Sequence, residues 1–267
     1  MLRKPAVCGQ FYPANAQVLR QQVATYLEPE APKKEVRGAV VPHAGYMFSG
    51  PVAGAVYSRI LFPDNFVILG PNHTGIGTSY SIMSEGKWET PLGEVSINSR
   101  LAQKILQYCP FLKEDEKAHL HEHSIEVQLP FLQNFEQPFQ FVPIVLAEIN
   151  PEVYRSIGTA IARVIQEETG KTLVIASSDF THYEPQSVAK EKDHRAIQSI
   201  LKLDEEKLLQ EVARHNISMC GYGPCYVMLT SCKALGATKS ELIKYQTSGD
   251  IIGDYSQVVG YAGILIW

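Results

Sequence analysis

Leu173-Val174-Ile175-Ala176-Ser177-Ser178-Asp179-Phe180-Thr181-His182 sets an apolar, β-branched run directly against a polar turn that carries a carboxylate and an imidazole. A run that is apolar on both sides, rather than alternating, is the pattern of a strand covered on both faces of a sheet. The same arrangement occurs twice upstream. Ala39-Val40-Val41 leads into Pro42-His43-Ala44-Gly45-Tyr46, and Val67-Ile68-Leu69 leads into Gly70-Pro71-Asn72-His73. In open α/β sheets, ligands bind beyond the carboxyl ends of the strands. If these three strands are neighbours, His43, His73, Asp179 and His182 converge on one cleft.

Working outward, two more buried runs, Phe139 to Leu146 and Val258 to Trp267, complete the strand set. Helical patterns lie between the strands. One runs to about Ile60 with Ser49 as its cap, and one covers Pro151 to about Glu168 with Pro151 in its first turn. Two more cover Ala189 to Ile200 and Glu205 to Ala213. Tyr80 to Ile97, broken by Gly86, Pro91 and Gly93, reads as an edge hairpin or β insertion. The predicted fold is therefore α/β, with a mixed, mostly parallel central sheet flanked by helices. No repeat, low-complexity segment or clear linker interrupts it, so residues 1–267 are expected to form a single domain.

Composition narrows the function classes. Hydrophobic residues make up 45% of the 267 and charged residues 19%, an ordinary globular balance. The net charge is -4, and the longest basic run is Lys33-Lys34, followed at once by Glu35, so no basic stripe points to nucleic acid. No window reaches the ~18 apolar residues needed to cross a bilayer, and Met1-Leu2-Arg3-Lys4-Pro5 lacks a signal-peptide core. Five cysteines at irregular spacing do not form a disulfide framework. A cytoplasmic protein with reduced thiols is expected.

Imidazole is the commonest side-chain metal ligand, and His43 and His73 leave room for a third protein ligand and open positions. Either histidine alone is better read as a surface or hydrogen-bonding residue. Asp179 and His182 form a carboxylate–imidazole pair, weighed against a capping aspartate beside an exposed histidine. Cys220 precedes Gly221-Tyr222-Gly223-Pro224, where a helix is expected to start. Near a cation, a thiol at that place is biased toward thiolate. Cys225 and Cys232 fall at helical spacing and read as core, as do Cys8 and Cys109. In His119-Leu120-His121-Glu122-His123-Ser124-Ile125-Glu126, His123 is kept as a secondary site residue, while His119 and His121 read as solvated. The segment lacks the H-E-x-x-H zinc spacing. A helix is expected over its Val127, Leu129 and Leu132, with Pro130 kinking or ending it. No phosphate loop, dinucleotide fingerprint or nucleophile elbow occurs.

Taken together, Pro42-His43-Ala44-Gly45-Tyr46, Gly70-Pro71-Asn72-His73, Glu122-His123-Ser124-Ile125-Glu126, Ser177-Ser178-Asp179-Phe180-Thr181-His182 and Met219-Cys220-Gly221 resemble, in content and order, the motifs of the Memo family. The opening Ala6-Val7-Cys8-Gly9-Gln10-Phe11-Tyr12-Pro13 does too, so the resemblance covers essentially the whole chain. It implies a fold similar to class III extradiol dioxygenases, whose non-haem iron is held by two histidines and a glutamate. It also implies His43, His73 and Cys220 as metal ligands, with Asp179, His182 and His123 as flanking catalytic residues. Iron or copper is the implied metal, with zinc next. Prokaryotic members resemble the Memo component of the AmmeMemoRadiSam gene set, whose products are the implied partners. Eukaryotic members are linked to cell motility and phosphopeptide recognition. A thiolate in place of a carboxylate softens the site, and fold likeness does not carry dioxygenase chemistry with it. The leading reading is a metal-binding redox protein or oxidoreductase that takes a small molecule or peptide in its cleft. Against it stand a non-catalytic module for a small anionic ligand or phosphopeptide, and a zinc hydrolase.

Overall fold

The computed structural model describes all 267 residues. The chain opens with β1 (Leu2–Arg3) and α1 (Ala16–Tyr26), then β2 (Gly38–Val41), α2 (Tyr46–Tyr57) and β3 (Asn65–Pro71). Short elements follow: β4 (Tyr80–Ile82), β5 (Lys87–Thr90), β6 (Gly93–Ser96), α3 (Ser99–Tyr108), β7 (Lys113–Glu114), α4 (Lys117–Leu120), a 3-10 turn (Glu126–Gln128) and α5 (Leu129–Gln133). The second half runs β8 (Gln140–Leu146), α6 (Pro151–Glu167), β9 (Thr172–Ser177), β10 (His182–Glu184), α7 (Gln186–Leu201), α8 (Glu205–His215), α9 (Tyr222–Ala234), β11 (Ser240–Thr247), α10 (Gly249–Ile252) and β12 (Val258–Ile266).

Nine strands form one mixed sheet in the order β10-β12-β2-β9-β3-β8-β4-β7, with β11 pairing on β12. Its centre, β2-β9-β3-β8, is parallel throughout, and β12 and β4 flank it antiparallel. The connection through α2 runs from β2 out to β3, while that through α6 returns from β8 to β9. Right-handed crossovers in opposite directions put their helices on opposite faces. Accordingly α2 packs with α1 and α5 against β2, β11 and β12, while α9 packs on β2, β9 and β3 with α6 against it. A core of 65 buried residues runs through both layers. No helix is long and apolar enough to cross a membrane.

The α/β fold expected from the sequence is the one observed, with the five strand runs found within a residue or two of the expected limits. Tyr80 to Ile97 divides: β5 and β6 form a hairpin that joins β1 in a separate three-stranded sheet, and β4 joins the main sheet. Three expectations are corrected. Ser49 does not cap α2, which starts a turn earlier with Gly45 as its cap, and the Ser49 hydroxyl donates to the Ala44 carbonyl at 2.7 Å. The helix is buried nearly all round, and packing draws its start back to Tyr46, whose N–H donates to Phe11 O at 2.8 Å. Pro130 opens α5 rather than ending a helix, because the first turn has no use for its missing N–H. His119 is fully buried, not solvated. Its Nε2 lies 2.9 Å from Ser81 Oγ, its ring lies against Trp88, and burial lowers its pKa to about 3. Helices α1 and α3 and strand β11 were not expected. In β11 the half-exposed mixture Ser-Glu-Leu-Ile-Lys-Tyr-Gln-Thr gives no clean alternation.

The N-terminal segment is locked to the rest by a buried ion pair. Arg3 and Glu126 are both fully buried and bonded to each other. The Arg3 guanidinium also donates to His119 O at 2.9 Å and Glu122 O at 2.7 Å, and lies 4.2 Å from the Trp88 ring centre. Glu126 accepts from the Ala6 and Val7 N–H groups at 2.7 and 3.1 Å and from the Tyr12 hydroxyl at 2.5 Å. Removing one partner strands the other charge in the core, so Arg3→Ala or Glu126→Ala is expected to cost about 3–5 kcal/mol, and the Arg3→Met/Glu126→Leu pair considerably less. Urea unfolding of the three variants measures this. A single-variant loss below about 1 kcal/mol, the ordinary surface range, would show that the pair is dispensable.

Candidate metal centre

The parallel strands β2, β3 and β9 end at one edge of the sheet, and each releases a turn there. His43 comes two residues after β2, His73 two after β3 and Asp179 two after β9. His123 reaches the same place from the irregular stretch between α4 and the 3-10 turn. His43, His73 and His123 each offer a ring nitrogen, and these nitrogens all lie within 4.8 Å of one another. His73 and His123 are stacked with centroids 4.6 Å apart, and the His43 ring stands edge-on to both at 5.1 and 5.5 Å. His43 is buried, His123 half-buried and His73 exposed, so the cluster opens to solvent on one side.

Hydrogen bonds determine which nitrogen faces the centre. Ser177 donates its hydroxyl proton to Ser124 O at 2.6 Å and receives Gln128 Nε2 at 2.8 Å. Its remaining lone pair can only accept, so His43 Nδ1, 2.9 Å away, carries the proton and leaves Nε2 as a bare lone pair. His73 Nδ1 lies 3.0 Å from Glu122 Oε1, and its backbone N–H donates to Oε2 at 2.6 Å. Burial alone would raise the Glu122 pKa, but the bond and charge of His73, the charge of His123 and the Ser124 N–H bring it down to about 2. An ionised Glu122 therefore holds the His73 Nδ1 proton and turns Nε2 outward. The same carboxylate lies 3.6 Å from His123 Nδ1. Burial lowers the His43 pKa well below its ordinary value, helped by the charges of His73, His123 and His182, and burial also lowers that of His123. His43 and His123 are thereby held toward the neutral form in which imidazole binds a metal, and the Nδ1 atoms of His43 and His73 each face an oxygen that orients the ring. The donor set fits a metal ion.

Cys220 sits beside this cluster. Its Sγ is 3.2 Å from His43 Nε2 and accepts the Asp179 N–H at 3.3 Å. The turn is tight: a side chain on Gly221 would place its Cβ 2.3 Å from Ser178 Cβ. The expected bias toward thiolate is not found. Burial pushes the thiol pKa well above its ordinary value, and the Asp179 charge adds to this. The neighbours are a neutral imidazole and a carboxylate, not a cation. Asp179 Oδ1 accepts the His43 N–H at 2.8 Å, and burial pushes this carboxyl up to about 6 against the pull of the His43 and Ala44 amides. His182 is partly exposed, and its Nδ1 lies 2.8 Å from Ser218 O, so its Nε2 is free as well.

His73 and Cys220 line one cavity of about 250 Å³ with Asn72, Leu146, Tyr154 and Tyr222, and no lysine or arginine lines it. A larger surface cavity of about 640 Å³ between α7 and β11 holds no such ligand cluster. The expected residues thus meet at one edge of the sheet, with one change of emphasis. The mutually close set is His43, His73 and His123, while Cys220 is in contact with His43. His121 is exposed as expected. The sequence reading missed Glu122, Ser177 and Gln128, which orient the His43 and His73 rings. Glu122 stands next to His123, and Ser177 opens the Ser-Ser-Asp turn. Those adjacencies were the only signal.

A family profile described as Memo-like protein matches residues 3–265. The chain is 46% identical to a MEMO1 family protein of Methanopyrus kandleri, over 99% of both chains. It is 45% identical to a MEMO1 family protein of Methanococcus maripaludis over 100% of both, and 43% identical to one of Methanocaldococcus jannaschii over 99% of both. Among solved structures, an uncharacterized protein from Escherichia coli K12 matches with a TM-score of 0.59 at 11% identity, over 87% of this chain and 100% of that one, a likeness of fold.

The His182 ring makes one hydrogen bond, to Ser218 O at 2.8 Å on the protein surface, and its backbone N–H meets Ser218 Oγ at 2.8 Å. His182→Ala is therefore expected to change stability by about 1 kcal/mol or less. A loss of several kcal/mol in urea unfolding would make it a structural histidine.

Proposed function

The chain belongs to the Memo-like protein family, and from that premise we propose that it is a metal-binding protein whose centre serves redox chemistry on a small molecule in the adjoining cavity. The observation that carries this is the convergence of three imidazole nitrogens within 4.8 Å, with their other nitrogens facing Ser177 and Glu122. His43 and His73 would be ligands, with Cys220 as the third and His123 alongside them. A nitrogen and sulfur donor set suits iron or copper, and zinc next. Bound there, such a metal would supply Lewis-acid or electron-transfer chemistry at an open position. This chain's own groups would do the rest. Cys220 would give up its proton when it becomes a ligand. Glu122 would hold His73 and His123 in orientation. Asp179 and His182 would carry protons at the cleft edge, His182 through its free Nε2.

The absence of lysine and arginine from the cavity wall counts against a site for an anionic ligand or phosphopeptide. A zinc hydrolase would use the same ligands, and the metal's identity separates it from a redox protein. We further propose that residues 1–267 fold as one unit, because a single core joins both halves. A second transition in urea unfolding would count against this.

Metal analysis after anaerobic purification is expected to give one ion per chain in wild type. Metal is expected to be lost from His43→Ala, His73→Ala and Cys220→Ala, and retained in Cys225→Ala. Full metal in folded His43→Ala and His73→Ala would sink the proposal, and full metal in Cys220→Ala would remove the thiol from the ligand set. Visible absorption from iron or copper supports the redox reading, and a colourless zinc-only preparation supports the hydrolase.

A further inference from the structure

The loop from Asp179 to His182 touches two of the proposed ligands, yet nothing in its own sequence holds it in place. Asp179 accepts the His43 N–H and donates its own N–H to Cys220 Sγ. What fixes this loop is a second layer. Asp193, on α7, is fully buried and is met by two neutral donors: the Thr181 N–H at 2.8 Å on Oδ1 and the Tyr245 hydroxyl at 2.7 Å on Oδ2. Gly260 of β12 closes the other side. Its carbonyl accepts the Phe180 N–H at 2.8 Å, and its N–H donates to Thr181 O at 2.9 Å. A Cβ on Gly260 would stand 1.9 Å from Asp193 Oδ2, so only glycine lets this carboxylate reach the loop.

We propose that Asp193 is a positioning residue of the metal centre, which holds the Asp179–His182 loop through Thr181 so that Asp179 meets both His43 and Cys220. The inference rests on the metal-binding reading above. A buried carboxylate without a cation is costly. Two neutral hydrogen bonds that merely tied α7 to β11 could be made by a neutral side chain. A carboxylate that accepts from Thr181 and Tyr245 at once fixes the loop in one register against β12. Groups of this kind, one step removed from the ligands, change metal affinity by about 10–100-fold when altered.

The test has two readouts on Asp193→Ala, Asp193→Asn and Gly260→Ala. The first is amide hydrogen exchange of metal-free protein, comparing residues 177–182 with β3. The second is Co(II) affinity measured by chelator competition, together with the sulfur-to-cobalt charge-transfer band. Expected for Asp193→Ala and Gly260→Ala are faster exchange confined to residues 177–182, Co(II) binding weaker by about tenfold or more, and an altered band. Asp193→Asn, whose amide oxygen can still accept the Thr181 N–H, is expected to lie closer to wild type on both. If Gly260→Ala or Asp193→Ala does not fold, the remaining variants carry the same comparison. Unchanged exchange at 177–182, or faster exchange with unchanged Co(II) affinity, overturns the proposal and leaves Asp193 a structural tie. Failure of wild type itself to bind Co(II) sinks the metal reading, and the exchange data alone then decide whether Asp193 holds the loop.

Discussion

Parallel hydrogen bonding of β2 and β3 to the two edges of β9 is the constraint on which the site depends. Val41 pairs with Ser177 and Leu69 with Ala176, so β2 and β9 end level and β3 runs one residue further. His43 and Asp179 each lie two residues beyond the Val41–Ser177 pair, and this equal offset lets the His43 N–H meet Asp179 Oδ1 at 2.8 Å. A slip of one residue in either ladder would turn every side chain to the opposite face and put the apolar runs and the turns out of step. Because the apolar runs are buried on both faces, alternation alone does not choose the register; the close packing of particular side chains does, and the register of the core is also the register of the site.

Beyond the strands, buried carboxylates organise chain that has little regular structure. Glu126 gathers the N-terminal segment through Ala6, Val7 and Tyr12, and its partner Arg3 donates to the carbonyls of His119 and Glu122. Glu122 gathers the His73 and Ser124 amides and faces two imidazoles. Asp179 and Asp193 do the same for the turn after β9. A loop cannot satisfy its own backbone donors, and buried donors left unpaired are costly. Glu126 and Glu122 each take two of them at once, and Asp193 takes one together with the Tyr245 hydroxyl, which converts flexible connections into fixed ones. The same groups set the electrostatics of the centre. Glu122 keeps its charge beside the His73 and His123 rings, while burial raises the Asp179 and Cys220 pKa values.

The strands, the α/β class and the residues that meet at the sheet edge were legible in the sequence because they depend on local pattern. A β-branched run followed by Pro-His, by Gly-Pro-Asn-His or by Ser-Ser-Asp states both a buried strand and a polar turn at its end. Helix starts were less legible. Ser49 offers good capping chemistry, but α2 is buried nearly all round, and its packing overrides that choice. His119 looked solvated like His121, since nothing local distinguishes the two. Only Trp88 and Ser81, brought in from far along the chain, bury it.

By itself, then, the sequence determined the family, the buried strands and the identity of the ligand-type side chains, because these follow from short-range periodicity and from residue type. The tertiary structure decided which of them are in mutual reach. It grouped His123 with His43 and His73 and set Cys220 against His43. It also supplied Glu122, Ser177 and Gln128 to choose each tautomer, and Asp193 with Gly260 to hold the Asp179 turn. Those outcomes rest on contacts between residues from 12 to 177 positions apart. Protonation and orientation follow from neighbours that only the folded chain brings within hydrogen-bond distance, and no local pattern encodes them.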